Sequence, residues 1–516
     1  MHSDNPISAR TSRFFEETVT NSTGEVQAHT RGQSVHLTLP PAYGNSFVGQ
    51  LITFTLLNLL VRLDAYCPAV TVTLPPCQRH PLLRLLAPGA FAAALAAFFT
   101  PFPAAQRLRF LQDSAAVEDA SIYVHISPVA ASNVLSVWAD GWIAYLNEGV
   151  PPDGDENAVG ASVAAGFAAA EIFKRLLAGL ALRPGLSIKP AERLVFSTYD
   201  YKLVPGPNPP LPQTIDIDGT VIVGLGGIGV AFIAAAASLP SLAGKLSLVD
   251  RDTIDQTTHN RFLIARPGDQ GFKVDLCRRA LAFHAGVEAY PEWFDDFVGR
   301  YGDRHPLIVV GVDKDQVRRQ IQAGRPKVLL NAGTSDTASF RVTRHNYTEG
   351  ACLACIAQSD LQQHPAEQML AQQLGLDLAT VLAYRASGRP IPLEALQAAG
   401  VLNELSAQAL GNRPLDEIAE KLCGQIQLAP PEEAPAVSIS FLSALPGFLL
   451  LGEVIKERCY PQQPRPALNA EVNHAMFSVL GRLHPALLHG WMDKREGCDC
   501  TRPAYQRAYR RKWPEA

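Results

Sequence analysis

A short apolar run, Thr220-Val221-Ile222-Val223, passes directly into Gly224-Leu225-Gly226-Gly227-Ile228-Gly229, and an Ala-rich segment over 230–239 comes next. Few folds accommodate this order. The apolar residues read as a buried strand, the glycines permit a tight turn with close backbone approach, and the alanines favour a helix. A second apolar run at 245–249 completes a βαβ unit ending at Asp250. In open α/β sheets the loop after such a strand is where nucleotides bind, their phosphates meeting free N–H groups at the helix start. Two later runs repeat the plan: 307–310 leads into Gly311-Val312-Asp313, and 328–330 leads into Asn331-Ala332-Gly333, read as a turn. Asp, Asn and Gly at successive strand ends predict one continuous site along the sheet edge.

The glycine loop alone is shared by NAD, FAD and adenylating enzymes. The residues downstream of it separate them. After the second strand come Asp250-Arg251-Asp252-Thr253-Ile254-Asp255, then Asn260-Arg261-Phe262-Leu263, then Gly271-Phe272-Lys273. A dinucleotide oxidoreductase needs one acid there, for a ribose, and has no use for a nearby Arg and Lys. A triphosphate does, since its charge calls for guanidinium and ammonium partners.

These segments, with Gly311-Val312-Asp313-Lys314-Asp315-Gln316-Val317-Arg318 and the pair Cys352-x-x-Cys355, resemble the ThiF/MoeB and ubiquitin-activating enzyme superfamily over roughly residues 215 to 500. The resemblance implies an α/β chain of two Rossmann-like adenylation-type domains, the first degenerate and the second active, with a helical insertion and a structural zinc site. It implies ATP and Mg²⁺ as cofactors, with Gly224, Gly226, Gly227 and Gly229 cradling phosphates. Asp250, with Asp252 close by, would bind the ribose, Asn260 would assist, Arg261 and Lys273 would hold the triphosphate, and Asp313 would bind Mg²⁺. The chain departs from the family at one stretch: Thr258 stands where an Asn is usual, and the Gln expected after Arg261 is Phe262. In the family the site is completed by an arginine from an N-terminal helix of a dimer or pseudo-dimer partner, which makes Arg10 and Arg13 candidates.

Cys352-x-x-Cys355 is expected to pair with Cys498-x-Cys500 as a four-thiolate zinc site, structural because four thiolates leave no open position, although the second pair is CxC where the family usually has CxxC; buried unliganded cysteines are the alternative. Nine cysteines in 516 residues do not form a disulfide scaffold. The insertion over 358–433 holds one cysteine, Cys423, in Ala419-Glu420-Lys421-Leu422-Cys423-Gly424-Gln425, and has helical patterns at 366–374, 393–399 and 415–422. Ubiquitin-activating enzymes carry their thioester cysteine in such an insertion, so Cys423 is the candidate nucleophile; a buried helix-end cysteine is the alternative. Cys277 and Cys459 read as core residues.

The first half has a similar order without the chemistry: a strand at 34–39, a helix at 51–63, strands at 70–74 and 122–126, and a long apolar helix at 159–177 that resembles 437–456. A diverged duplication and two unrelated α/β domains both fit this. The organisation expected is 1–203 as an inactive adenylation-like domain, a Pro-rich linker at 204–214, an active domain from 215–357 and 434–516, and the insertion between.

A net charge of −4 argues against a dedicated nucleic-acid binder, and Arg507, Arg510, Arg511 and Lys512 read as a solvated helix end. The most apolar stretch, 90–99, is too short to span a bilayer, and no signal-peptide core is present, so a cytoplasmic enzyme without membrane partners is expected.

The leading expectation is an activating enzyme for a ubiquitin-like protein: adenylation of its C-terminal carboxylate, thioester transfer to Cys423, and handover to a conjugating enzyme. The layout resembles bacterial versions found in antiviral operons, a pseudo-dimer within one chain that could also form a homodimer. The second expectation stops at the adenylate, as for a sulfur carrier or a peptide carboxylate. An NAD or FAD oxidoreductase is the third.

Overall fold

The computed structural model describes residues 9–112, 119–150, 156–183, 188–335, 339–356, 370–418 other than positions 372, 388, 403 and 416, 439–460, 468, 472–478 and 489–514. The chain separates into two units, Met1–Ala357 with Val437–Ala516, and Gln358–Ala436.

The larger unit opens with α1 (Ala9–Thr18) and α2 (Thr23–Arg31), then alternates strands with helices: β1 (Ser34–Thr38), α3 (Phe47–Val61), β2 (Ala69–Thr73), α4 (Phe91–Phe99), β3 (Leu108–Leu111), β4 (Ile122–Ile126), β5 (Leu135–Asp140), β6 (Ile143–Leu146), α5 (Ala158–Leu176) and β7 (Leu194–Ser197). The seven strands form one sheet in the order β3-β2-β1-β4-β5-β6-β7. From β3 to β5 the pairing is parallel, and β6 and β7 extend the sheet antiparallel.

The chain continues through β8 (Ile215–Asp216), β9 (Thr220–Val223), α6 (Gly227–Ala236), β10 (Leu242–Ala243), β11 (Leu246–Val249), α7 (Lys273–Ala280), β12 (Val287–Tyr290), α8 (Phe294–Tyr301), β13 (Leu307–Val310), α9 (Asp315–Ala323), β14 (Val328–Ser335) and β15 (Ser339–His345). After the smaller unit come the Ser440–Cys459 helix, β16 (His474–Ser478), β17 (His489–Gly490) and the Pro503–Lys512 helix. These strands build a second sheet, β12-β11-β9-β13-β14-β15-β16-β17, while β8 and β10 pair apart from it. It too is parallel through its first five strands and antiparallel beyond. Every residue of β9, β11 and β13 is buried, as parallel strands covered on both faces require.

The expected turn at Asn331-Ala332-Gly333 is instead strand: β14 runs on to Ser335. Although β13 ends opposite Asn331, residues 332–335 still pair with β15, from Ala332↔Val342 to Ser335↔Ser339, and that antiparallel partner keeps the backbone extended.

The two sheets are joined through helices. α3 and α5 pack with α6 and the Ser440–Cys459 helix, whose buried faces are almost wholly apolar. Two ion pairs lie inside this layer, Glu171–Lys174 on α5 and Glu453–Lys456 on the Ser440–Cys459 helix, each at 2.5 Å with spacing i,i+3. The segment over 204–212 contains no helix or strand but is tied down, because Trp142 Nε1 donates to the Pro209 carbonyl and the Tyr460 hydroxyl to that of Pro210.

The smaller unit has helices at Leu378–Ser387, Leu393–Ala399 and Glu404–Leu410 around its own core, which includes Leu374, Val381, Ile391, Leu396 and Leu410. The first and third of these are additional to the helical patterns expected in the insertion, and parts of the helices expected at 366–374 and 415–422 lie outside the described residues. Among the described residues no helix is long and apolar enough to cross a membrane.

Candidate functional site

β9 is the first strand of its sheet, and its neighbours β11 and β13 lie on either side of it, so the chain leaves β9 at a point where the winding direction switches. Such a point opens a crevice above the strand ends. Gly224 turns there with φ +86°, and a Cβ at that position would sit 2.6 Å from Val312 Cγ1 and 2.9 Å from the Val312 nitrogen. Only glycine lets the loop lie against the end of β13, where the Gly311 N–H donates to the Val223 carbonyl at 2.9 Å. α6 then starts at Gly227 with no side chain capping Gly226. Its first N–H groups therefore have no intrahelical acceptor and suit an anion.

Asp250, at the end of β11, accepts the Leu225 N–H at 2.6 Å and the Asp252 N–H at 2.8 Å. Burial pushes its carboxyl up, opposed by the charge of Lys273 and by those two donors. Lys273 arrives from a different segment. Thr253 bridges Phe272, the Ile254 N–H donates to Gly271, and the Lys273 N–H donates to Asp252. This pairing of 252–254 with 271–273 brings Lys273 Nζ to 2.8 Å from Asp252 Oδ2 while the lysine itself is buried.

Asn260 is fully buried in the turn Gln256–Asn260, and its Oδ1 accepts from Arg261 NH1 at 2.9 Å. The same nitrogen donates to the Thr257 carbonyl at 2.9 Å. A Cβ at Gly227 would lie 3.0 Å from Arg261 Cδ, so this arginine flanks the glycine loop. Asp313 is exposed just beyond β13, next to the same loop. The fold thus gathers the glycines, Asp250, Asp252, Asn260, Arg261, Lys273 and Asp313 at one edge of one sheet. An exposed carboxylate is suitable chemistry for Mg²⁺, which takes oxygen ligands and keeps several waters. α1 packs against the Gln256–Asn260 turn, which places Arg13 on a helix at the site's flank. Arg10 is on the same helix.

Beside these residues a cavity of about 130 Å³ is lined by Asp315, Arg318, Asn331, Thr334, Ser339 and Arg341, among others. Arg318 NH1 is 2.8 Å from Asp315 Oδ1. Buried Asn331 donates through Nδ2 to Thr343 Oγ1 at 3.1 Å, but its Oδ1 has no partner among the described residues. A buried carbonyl oxygen without a donor is costly, and it marks a place for a ligand N–H or a water. Asn331 is one of the strand-end residues expected along this edge, whereas Arg341 carried no signal in the local pattern, because β15 lines the cavity only through its antiparallel pairing with the extended β14.

The four cysteines come together from the middle and the end of the second half. Cys352–Cys355, Cys352–Cys498 and Cys355–Cys500 Sγ separations are 3.7, 3.6 and 3.4 Å, and all four sulfurs lie within 4.8 Å of one another. Thiolates about 2.3 Å from a tetrahedral zinc stand roughly 3.8 Å apart, so the cluster has the size and donor set of a closed Zn²⁺ site. The Arg495 N–H donates to Cys355 Sγ at 3.4 Å.

Cys423 lies outside the described residues. Of the cysteines beyond the cluster, Cys67 is pushed up by burial to about 12, and burial also raises Cys77, Cys277 and Cys459. None of these four is poised as a thiolate.

The comparisons with known proteins cover the same region. Residues 213–461 match the ThiF family. An uncharacterized protein of Sinorhizobium fredii, y4jF, is 27% identical over 395 residues, covering 73% of this chain and 74% of its own. Among solved structures, Escherichia coli MccB with MccA-N7isoASN is 15% identical, with a TM-score of 0.33 over 56% of this chain and 67% of that one. The structure of E. coli MccB with ATP is 14% identical, with a TM-score of 0.34 over 56% of this chain and 66% of that one.

Proposed function

From the match of residues 213–461 to the ThiF family, we propose that this chain uses ATP to adenylate the C-terminal carboxylate of a protein or peptide, most specifically a ubiquitin-like protein. The observation that carries the reading is the pairing of 252–254 with 271–273, which sets a buried lysine against the acidic strand end beside the glycine loop. A dinucleotide site has no need of that ammonium; a triphosphate does.

In this reading the N–H groups at the start of α6, with Arg261 and Lys273, hold the phosphates, and Asp250 accepts from the ribose hydroxyls. Asp313 would hold Mg²⁺, which would neutralise phosphate charge. A carboxylate oxygen of the substrate attacks the α-phosphorus. The bond from that phosphorus to the oxygen bridging to the β-phosphate breaks, and pyrophosphate leaves. Arg261 and Lys273 match the charge that moves onto the leaving group, and the chain's main contribution is alignment and charge neutralisation. The cavity beside Asp313 would take the tail of the substrate, with a backbone N–H of that tail meeting Asn331 Oδ1.

The Cys423 thiolate then attacks the acyl carbon, AMP leaves, and a thioester forms that a conjugating enzyme would accept. The first half is a diverged, non-catalytic copy of the second, a reading supported by the strand order and sense that the two sheets share from their first to their seventh strand. Arg10 or Arg13 would complete the phosphate site, and the cysteine cluster would hold structural Zn²⁺.

The test is ATP–pyrophosphate exchange stimulated by a candidate ubiquitin-like protein, with a non-reducing gel for the adduct. Exchange with a reducible adduct that vanishes in Cys423→Ala is expected. An adduct that survives in Cys423→Ala removes the thioester assignment, and exchange without any adduct leaves adenylation alone, as for a sulfur carrier or peptide. Absence of exchange with every carboxylate substrate tried, alongside hydride transfer from a nicotinamide, would sink the adenylation reading.

A further inference from the structure

The phosphate-side loop of the second half is held from the first half. Arg62, which caps the C-terminus of α3, is 1% exposed. Its Nε donates to Asn58 Oδ1 at 2.8 Å, NH1 to the His259 carbonyl at 2.5 Å, and NH2 to the Ala265 carbonyl at 2.8 Å. Asn58 Nδ2 donates to the Leu263 carbonyl at 2.7 Å. The three accepting carbonyls bracket Asn260 and Arg261, and the residues that bear them are buried. A buried carbonyl left without a donor is costly, so the path of this segment depends on the fork that reads it. A guanidinium suits that task because its donors sit in a rigid plane and can meet two acceptors at once.

We propose that Asn58 and Arg62 are positioning residues for ATP: they fix residues 258–265 so that Arg261 stays against the glycine loop, and the first half thereby tunes nucleotide affinity without touching nucleotide. This rests on the reading of that loop as the ATP site. Arg84 provides an internal control. It also reaches across from the first half, donating to the Ala237, Leu239 and Pro240 carbonyls, but at the far end of α6 from the glycine loop.

The experiment measures the Kd for ATP by calorimetry on the full chain, together with amide hydrogen exchange over 258–265 and thermal midpoints. Arg62→Gln is expected to weaken ATP binding on the order of tenfold or more and to speed exchange over 258–265. Arg62→Lys, whose ammonium cannot span both carbonyls in the same geometry, is expected to fall between. Arg84→Gln is expected to lower the midpoint with little change in Kd. Should Arg62→Gln fail to fold, Asn58→Ala, which removes only the Leu263 bond and the brace on Nε, takes its place. Equal midpoint losses in the Arg62 and Arg84 variants with an unchanged Kd would overturn the proposal. If the unmodified chain binds no ATP, the nucleotide reading fails, and the clamp is then judged by exchange alone: protection over 258–265 that is the same in Arg62→Gln overturns it as well.

Discussion

Lys273 faces two carboxylates in different ways. It touches Asp252, whose side chain is 56% exposed, and it acts through space on Asp250, which is largely buried. Water screens the first interaction and not the second. Lys273→Met should therefore weaken ATP binding on the order of 10- to 100-fold, the range for a charge-assisted hydrogen bond, and calorimetry reads it directly. The same variant carries a pH signature. Asp250 is raised in the folded state, so its contribution to stability is present below its unfolded value and is lost as the pH rises through the folded value. Removing Lys273 raises it further, so the stability difference between the variant and the parent should be largest near neutral pH and shrink as the carboxylates protonate. Denaturant midpoints measured from pH 7 down to pH 4 check this, and a constant difference rules it out. At this scale the sequence was informative where chemistry sits on short motifs, as with Asp250-x-Asp252 and Gly271-Phe272-Lys273. It was silent on Arg62, because that side chain's partners are backbone carbonyls about two hundred positions away.

Elements carry the next level of consequence. The Ser440–Cys459 helix buries Glu453 and Lys456 together, and Lys456 Nζ also donates to the Thr198 and Tyr199 carbonyls. Burial raises Glu453 and lowers Lys456, and the charge of each opposes that shift in the other. Lys456→Met should cost about 3–5 kcal/mol by stranding a buried carboxylate, and adding Glu453→Leu should recover part of it. The recovery stops short because two carbonyls still lack their donor. Chemical denaturation of both variants separates the two effects. At the chain's far end, Tyr509, Lys512 and Trp513 donate to the carbonyls of Lys327, Gly324 and Arg325. On the proposed zinc site, Cys498→Ser should thus expose the 489–501 stretch to protease before the Pro503–Lys512 helix detaches, and elemental analysis should find one zinc per parent chain and less in the variant. Periodicity placed the helix at 393–399 and the strand at 122–126 well. It stopped β14 short because Asn and Gly ordinarily end strands, and only the distant partner β15 overrides them.

For the whole molecule, Gln358–Ala436 separates from the rest, and in the proposed reading the two steps belong to different parts of the chain. Replacing 358–436 by a flexible linker of about 20 Gly and Ser residues should leave pyrophosphate exchange near the parent level and abolish the adduct. Exchange lost in a variant that still folds would show that the insertion serves the adenylate step itself. The alternation of strand and helix made the α/β class legible from the glycine loop outward. The strand order of the second sheet was not, since β16 and β17 return to it only after the smaller unit.

That late return also governs how the molecule can be made. A ribosome releases the chain from its first residue onward, yet the helix that lies against α5 and α6 spans Ser440–Cys459. Until it emerges, the surfaces of α5 and α6 that this helix covers stay open in the growing polypeptide, although the glycine loop, Asp250, Arg261, Lys273 and Asp313 have already been synthesised. Pausing or truncation between α9 and Ser440 would then leave a sticky, incomplete product dependent on chaperones. A stop codon in that window is expected to yield insoluble protein, whereas one placed after Trp513 should be tolerated.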